Sequence, residues 1–357
     1  MVGASDAANV DTVIATASGA LGAAIGVVTN VITTDHLTGV VVTGTSTDRS
    51  SLTGTSVSVD ADAKEGISSL LIAASGAQYA AVSASVNVNR QLSDVSAAVD
   101  QTEVLGSFAQ NANYLGRITT SAITAAGSQY AAVPISVVIN YADNAVSSSV
   151  AHSILRAEGQ SASVGANRIS EFSSLNVTAS GAMYGAAAGL VNVNTIEGAT
   201  SAEVNDSEVK AGQFSVNAEN EDHLKVTDVT ATGAIGSLGA SVVVSYFKGS
   251  SAANLRNSIV TADKLTVSSL QDHYVNGTVA FASGGIGTIG ANVFSLVIGS
   301  RDNPFASNRQ DLGSAEDTVN KYLSDYASSG TGSLGFITEN DELTCLLYTS
   351  PRPRDPR

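Results

Sequence analysis

A-S-G-A-Q-Y-A-A-V-S-A-S-V-N-V-N, residues 74–89, decides the fold. It opens on small residues around Gly76 and then alternates strictly. Val82, Ala84, Val86 and Val88 fall on one face, and Ser83, Ser85, Asn87 and Asn89 on the other. Period-two alternation with β-branched residues is the pattern of a half-buried strand. The aliphatic face is expected to point inward. The run after Gly127 reads the same way, with Val133, Ile135, Val137 and Ile139 as the expected inward set.

Outward from this stretch the small-residue anchor recurs. Copies begin near residues 17, 74, 125, 179, 231 and 282, with glycines Gly19, Gly76, Gly127, Gly181, Gly233 and Gly284. Their spacings are 57, 51, 54, 52 and 51 residues, a mean of 53. A second shared element lies between anchors: V-D-Q-T at 99–102, V-A-H-S at 150–153, V-N-D-S at 204–207 and L-R-N-S at 255–258. Its fourth position is always a hydroxyl, Thr102, Ser153, Ser207 or Ser258, which suits a bend that hydrogen-bonds its own backbone. A third element is short, as in L-N-V-T-A at 175–179.

Each unit reads as four or five short strands with polar turns. A unit of this size cannot bury its own apolar face, whereas stacked neighbours bury a continuous core. The expectation is all-β: a parallel β-solenoid of about six 53-residue repeats over residues 17–300, with two coils per repeat. Residues 1–16 read as the end of a preceding repeat. An antiparallel sandwich is the structural rival, and the constant period favours the solenoid.

Composition narrows the function. The net charge is −15 and charged residues make up only 14% of the chain, against roughly 25% in ordinary domains. No basic run exists, which argues against nucleic acid. One Cys excludes a disulfide framework. Val13–Ile32 is apolar enough to suggest a membrane helix, but its repeat copies carry Gln, Ser and Asn, so no membrane span is expected.

The pattern G-A-x-x-x-A-V-x-x-S-V-N-V-N, then A-x-V-x-x-S-x-V-x-A, then L-x-V-x-A resembles the repeat region of filamentous-haemagglutinin-like and leukotoxin-type bacterial surface adhesins. The resemblance covers about residues 10–300. It implies a segment of a large type V secreted exoprotein, located at the cell surface, with an outer-membrane translocator in the full system. A host-cell glycan or protein receptor would be the partner. The chain begins inside a repeat, so a fragment of a longer protein is expected.

Beyond residue 300 the repeat diverges (301–344). S-A-E-D opens a capping box, and Val319, Tyr322, Leu323 and Tyr326 form an apolar stripe, so a helix is expected over 314–327. Residues 345–357 hold the only Cys and three of the five prolines. They resemble a translated sequencing-adapter sequence, with a basic proline-rich tail as the rival reading.

No nucleophile elbow, Walker loop or H-E-x-x-H motif occurs. G-G-I-G-T-I-G at 284–290 resembles a dinucleotide loop only superficially, being the sixth anchor. His223 and His273 each follow an Asp and are expected to be repeat-equivalent, stacking as a polar turn rather than as a metal pair. His152 occupies the bend position of Gln101, Asp206 and Asn257. No cofactor and no metal are expected. Asn89, Asn140 and Asn194 each lie thirteen residues after an anchor glycine, as expected of a hydrogen-bonded ladder. Tyr79, Tyr130 and Tyr184 each lie three residues after one, where the other anchors carry Gly22, Gly236 and Gly287. They form either an inner aromatic ladder or an outward stripe able to bind a sugar or protein. The expected role is a non-enzymatic structural or adhesive rod. The alternatives are a polysaccharide-acting solenoid enzyme and a calcium-stabilised toxin repeat.

Overall fold

The structure, a computed structural model, describes residues 1–299. The expected divergent repeat at 301–344, the helix at 314–327 and the tail at 345–357 lie outside the described residues. Twelve strands run in chain order: β1 (Val2–Ala20), β2 (Ala23–Thr43), β3 (Ser50–Ala77), β4 (Ala80–Asp100), β5 (Thr102–Ser128), β6 (Ala131–Ala151), β7 (Ile154–Gly181), β8 (Gly185–Asn205), β9 (Glu208–Gly233), β10 (Gly236–Arg256), β11 (Ile259–Gly284) and β12 (Gly287–Ile298). Odd strands make one six-stranded sheet and even strands the other. Neighbours within each sheet pair in parallel. The chain is a parallel β-solenoid.

Anchor glycines pair directly, Gly19 with Gly76, Gly76 with Gly127 and Gly127 with Gly181. One repeat is therefore one rung, not two coils, and each rung holds two strands, most of them 21–28 residues long, rather than four or five short ones. The reason is local. Apart from short irregularities, the inward–outward alternation continues through most of the polar stretches that read as turns, and an extended chain has no need to bend there. Val13–Ile32 spans the corner between β1 and β2 instead of a helix. Among the described residues no helix is long and apolar enough to cross a membrane.

Two corners close each rung. At the far corner Gln101, His152, Asp206 and Asn257 take φ of 47–49°, the left-handed conformation that reverses the chain. The next residue stitches the rungs together. Ser153 Oγ donates to the Ala151 carbonyl at 2.6 Å and accepts from the Thr102 amide at 3.1 Å. Ser207 and Ser258 repeat the arrangement one rung on. Small register shifts near residues 53–56, 105–108 and 157–161 accompany the unequal repeat lengths. Gly106, at φ 119°, sits in one of them, where a Cβ would run into the Gly54 carbonyl.

The inward face differs from expectation. In β4 the buried residues are Ala81, Ser83, Ser85, Asn87 and Asn89, and Val82, Ala84, Val86 and Val88 point outward. In β6 Ala132, Ser136, Val138 and Asn140 are buried, while Val133, Ile135, Val137 and Ile139 face out. Alternation defines two faces but does not say which is inside. Here the opposing sheet supplies hydroxyls, and the inward amides pair with them. Further along the same strands the core turns aliphatic. Val95, Ala97 and Val99 meet Val57, Val59 and Ala61, with Phe108 and Phe214 filling the space between sheets.

Candidate functional site: a tyrosine stripe at the corner

The near corner joins each odd strand to the next even one through a turn of two or three residues. Tyr79, Tyr130 and Tyr184 each end such a turn. Their backbones are tied rung to rung: the Tyr79 amide donates to the Gly22 carbonyl at 3.0 Å, Ala131 to Tyr79 at 3.1 Å, and Gly185 to Tyr130 at 3.0 Å. Repeat-equivalent side chains therefore leave the corner in one direction. Ring centroids lie 5.4 Å apart for Tyr79–Tyr130 and 5.2 Å for Tyr130–Tyr184, with interplanar angles of 12° and 18°. The three are 55%, 44% and 53% exposed. They form an outward stack and are not an inner ladder.

Stacking hides the ring faces against one another and leaves ring edges and phenol hydroxyls toward solvent. Among the described residues no side chain hydrogen-bonds to these hydroxyls. The row can thus offer donors and acceptors at a regular pitch.

The stripe is longer than its tyrosines. Gly236 pairs with Gly185, not with Tyr184. The turn after Gly233 is one residue shorter than that after Gly181, so Ile235 takes the rung position of Tyr184. Ile286 follows, its amide donating to the Ile235 carbonyl at 3.1 Å. Both isoleucines are exposed, Ile286 at 90%. Counting from the anchor points to Gly236 and Gly287 instead. Counting back from the strand start would have found the isoleucines, since each precedes a small residue, as the tyrosines do.

The asparagines lie inside. Asn89 Nδ2 donates to Asn140 Oδ1 at 3.0 Å, and Asn140 Nδ2 to Asn194 Oδ1 at 2.9 Å. Thr120 and Ser69 of the opposing sheet join them. A parallel chain of bonds, not foreseen, links Asn192 and Asn176 to the buried carboxylate of Asp228. Burial pushes the Asp228 carboxyl up to about 6, against the lowering effect of the Asn176 and Asn192 hydrogen bonds.

His223 and His273 do not stack. His223 pairs with Tyr274, and His273 with Asp222. The offset of one residue sends His223 outward and His273 inward, because a one-residue slip exchanges faces. His273 Nδ1 lies 3.2 Å from Asp222, which also takes Arg168 at 2.9 Å in a fully buried pair. Desolvation lowers the Arg168 pKa, with Asp222 opposing it. Glu65, two rungs from Arg168, is held by Ser93 and Thr34, and burial raises its carboxyl. The buried members of this band, Arg168, Asp222 and Glu65, brace the interior. G-G-I-G-T-I-G runs from strand β11 through a corner into strand β12, not into a helix.

The chain matches no protein-family model, no curated protein and no solved structure.

Proposed function

We propose that this chain is a non-enzymatic, adhesive rod segment of a secreted bacterial surface protein, and that the corner stripe is its contact surface. The carrying observation is the outward tyrosine stack. Three parallel rings half-exposed at one corner are not needed for burial, and aromatic side chains with a polar tip suit recognition. The resemblance of the repeat to filamentous-haemagglutinin-like and leukotoxin-type adhesins supports the same reading, including export by a type V translocator. Exposed ring edges and hydroxyls favour a hydroxyl-rich partner, so a host-cell glycan is the first class to test and a receptor protein the second.

The test is a glycan array and whole-cell binding with the purified chain. Changing Tyr79, Tyr130 and Tyr184 together to Ser should abolish binding while circular dichroism and melting stay near wild type. Undiminished binding by a folded triple variant would remove the stripe as the contact surface.

A further inference from the structure

The outer face of the even-strand sheet carries a second surface, which begins where the corner stripe ends. Outward positions run from residue 23 to 31 in β2, 80 to 88 in β4 and 131 to 139 in β6. They continue from 185 to 193 in β8, 236 to 244 in β10 and 287 to 295 in β12. None of these outward positions is charged, and Thr29 and Ser295 are the only polar ones. One rank across the six strands reads Thr29, Val86, Val137, Val191, Val242, Val293. Directly beneath lie Ser83, Ser85, Asn87, Asn140, Asn192 and Ser241, all buried. The outer face of this region is thus almost wholly apolar, while the inner face mixes these polar groups with Val28, Val138, Leu190 and Val243.

The odd-strand sheet shows that this is not general. Its outer face carries Asp60 bonded to Asn111 and Asp62 bonded to Asn113, with Arg117 paired to Glu171. The apolar field also has a boundary. The next ranks hold Arg90 over Tyr141, and Lys248 bonded to Glu197. A large apolar patch rimmed by polar groups marks an interaction surface.

We infer that this face is where two copies of the chain pack sheet against sheet. Size is the first argument. With strands about 4.8 Å apart and about 3.3 Å per residue, the field measures about 25–30 Å each way. That is on the order of 700–800 Å² per copy, so two copies bury about 1,500 Å², the size of a standard stable interface. Periodicity is the second. The face repeats at the strand spacing, so a second copy related by a two-fold axis presents the same ridges to the same furrows, as an isologous contact requires. Flat faces of this kind pack about 10 Å apart. Charge is the third. Each copy carries −15, and this uncharged field lets two of them approach without setting carboxylates against one another.

Sedimentation equilibrium of the full chain from 1 to 100 µM tests the inference. The expected result is a reversible dimer of twice 35.9 kDa. Val137→Lys, at the middle of the rank, should weaken the dimer at least 100-fold. Val137→Thr, close in shape and safer for folding, should weaken it several-fold. Ser68→Lys, exposed on the opposite sheet, should leave it unchanged. A monomer at every concentration overturns the inference, whatever else covers the face. So does self-association that survives Val137→Lys in a folded protein, which would place the contact elsewhere, for instance on the end rungs.

Discussion

The two ends of each rung enclose different interiors on one backbone. Toward the far corner the space between sheets holds Val59, Val99, Phe108, Val164, Val204 and Phe214. Toward the near corner it adds Asn87, Asn89, Asn140, Asn194, Ser69, Thr120 and Asp228 to small aliphatic clusters such as Val28, Leu71 and Ala73. The aliphatic end is stabilised by area removed from water, which is large and insensitive to direction. The polar end gains little net energy per hydrogen bond, and its cost appears when a partner is lost. Its contribution is registry: an amide that reaches the next rung at 2.9 Å cannot do so after a slip of one residue. The aliphatic end holds the sheets together, and the polar end specifies how they align.

The contrast breaks most visibly at the largest side chains. Phe214→Ala should destabilise by about 3–5 kcal/mol, the range for emptying a buried aromatic site, measured by urea denaturation. Arg168→Met, at the boundary between the two interiors, should cost about as much, because it strands the buried Asp222 carboxylate. Arg168→Met with Asp222→Asn should recover most of that loss.

Asn140→Leu sharpens the comparison. It removes the partner of Asn89, Thr120 and Asn194 and should cost about 1–3 kcal/mol. Converting Asn89, Asn140 and Asn194 together to Val should cost less than three such losses added, since only the Asn192 carbonyl oxygen among the neighbouring amides then loses a donor. Fully additive costs in denaturation curves would show that the asparagines do not act as one ladder.

Asp228 supplies the pH arm. Its carboxyl titrates near 6 in the folded chain, above the ordinary value of 3.8. The folded state therefore binds this proton more tightly than the unfolded state. Stability from this group is greatest below pH 4, declines as pH rises toward 6, and stays low above it. The full swing is on the order of 3 kcal/mol. Glu65 is shifted in the same direction. Asp228→Asn should raise the melting temperature at pH 7.5 and shrink the difference between pH 4.5 and 7.5. A melting temperature that climbs with pH over this interval in wild type, and not in the variant, would reverse the assignment.

The smallest effect belongs outside both interiors. Tyr130→Ser removes two stacking contacts from an exposed ring and should cost about 1–2 kcal/mol at most. A loss as large as that of Phe214→Ala would mean that the corner stack is structural.

Much of this architecture can be read along the chain. The anchor spacing announces stacked rungs, and the alternation announces strands. The bend hydroxyls Thr102, Ser153, Ser207 and Ser258 mark a corner, and the tyrosines share one direction because their offsets from both the anchor and the following strand are equal. These are properties of residue order, which survive any choice of packing. Which face turns inward was decided only in three dimensions, because alternation is symmetric between its two faces. Val86 and Asn87 exchange roles according to what the opposing sheet presents, and it presents Ser69 and Thr120. The same holds for His223 and His273, parted by one residue of register, and for Ile235, brought into line with Tyr184 by a shortened turn. Local chemistry is written in single residues, whereas burial and register belong to pairs of strands that meet only after folding.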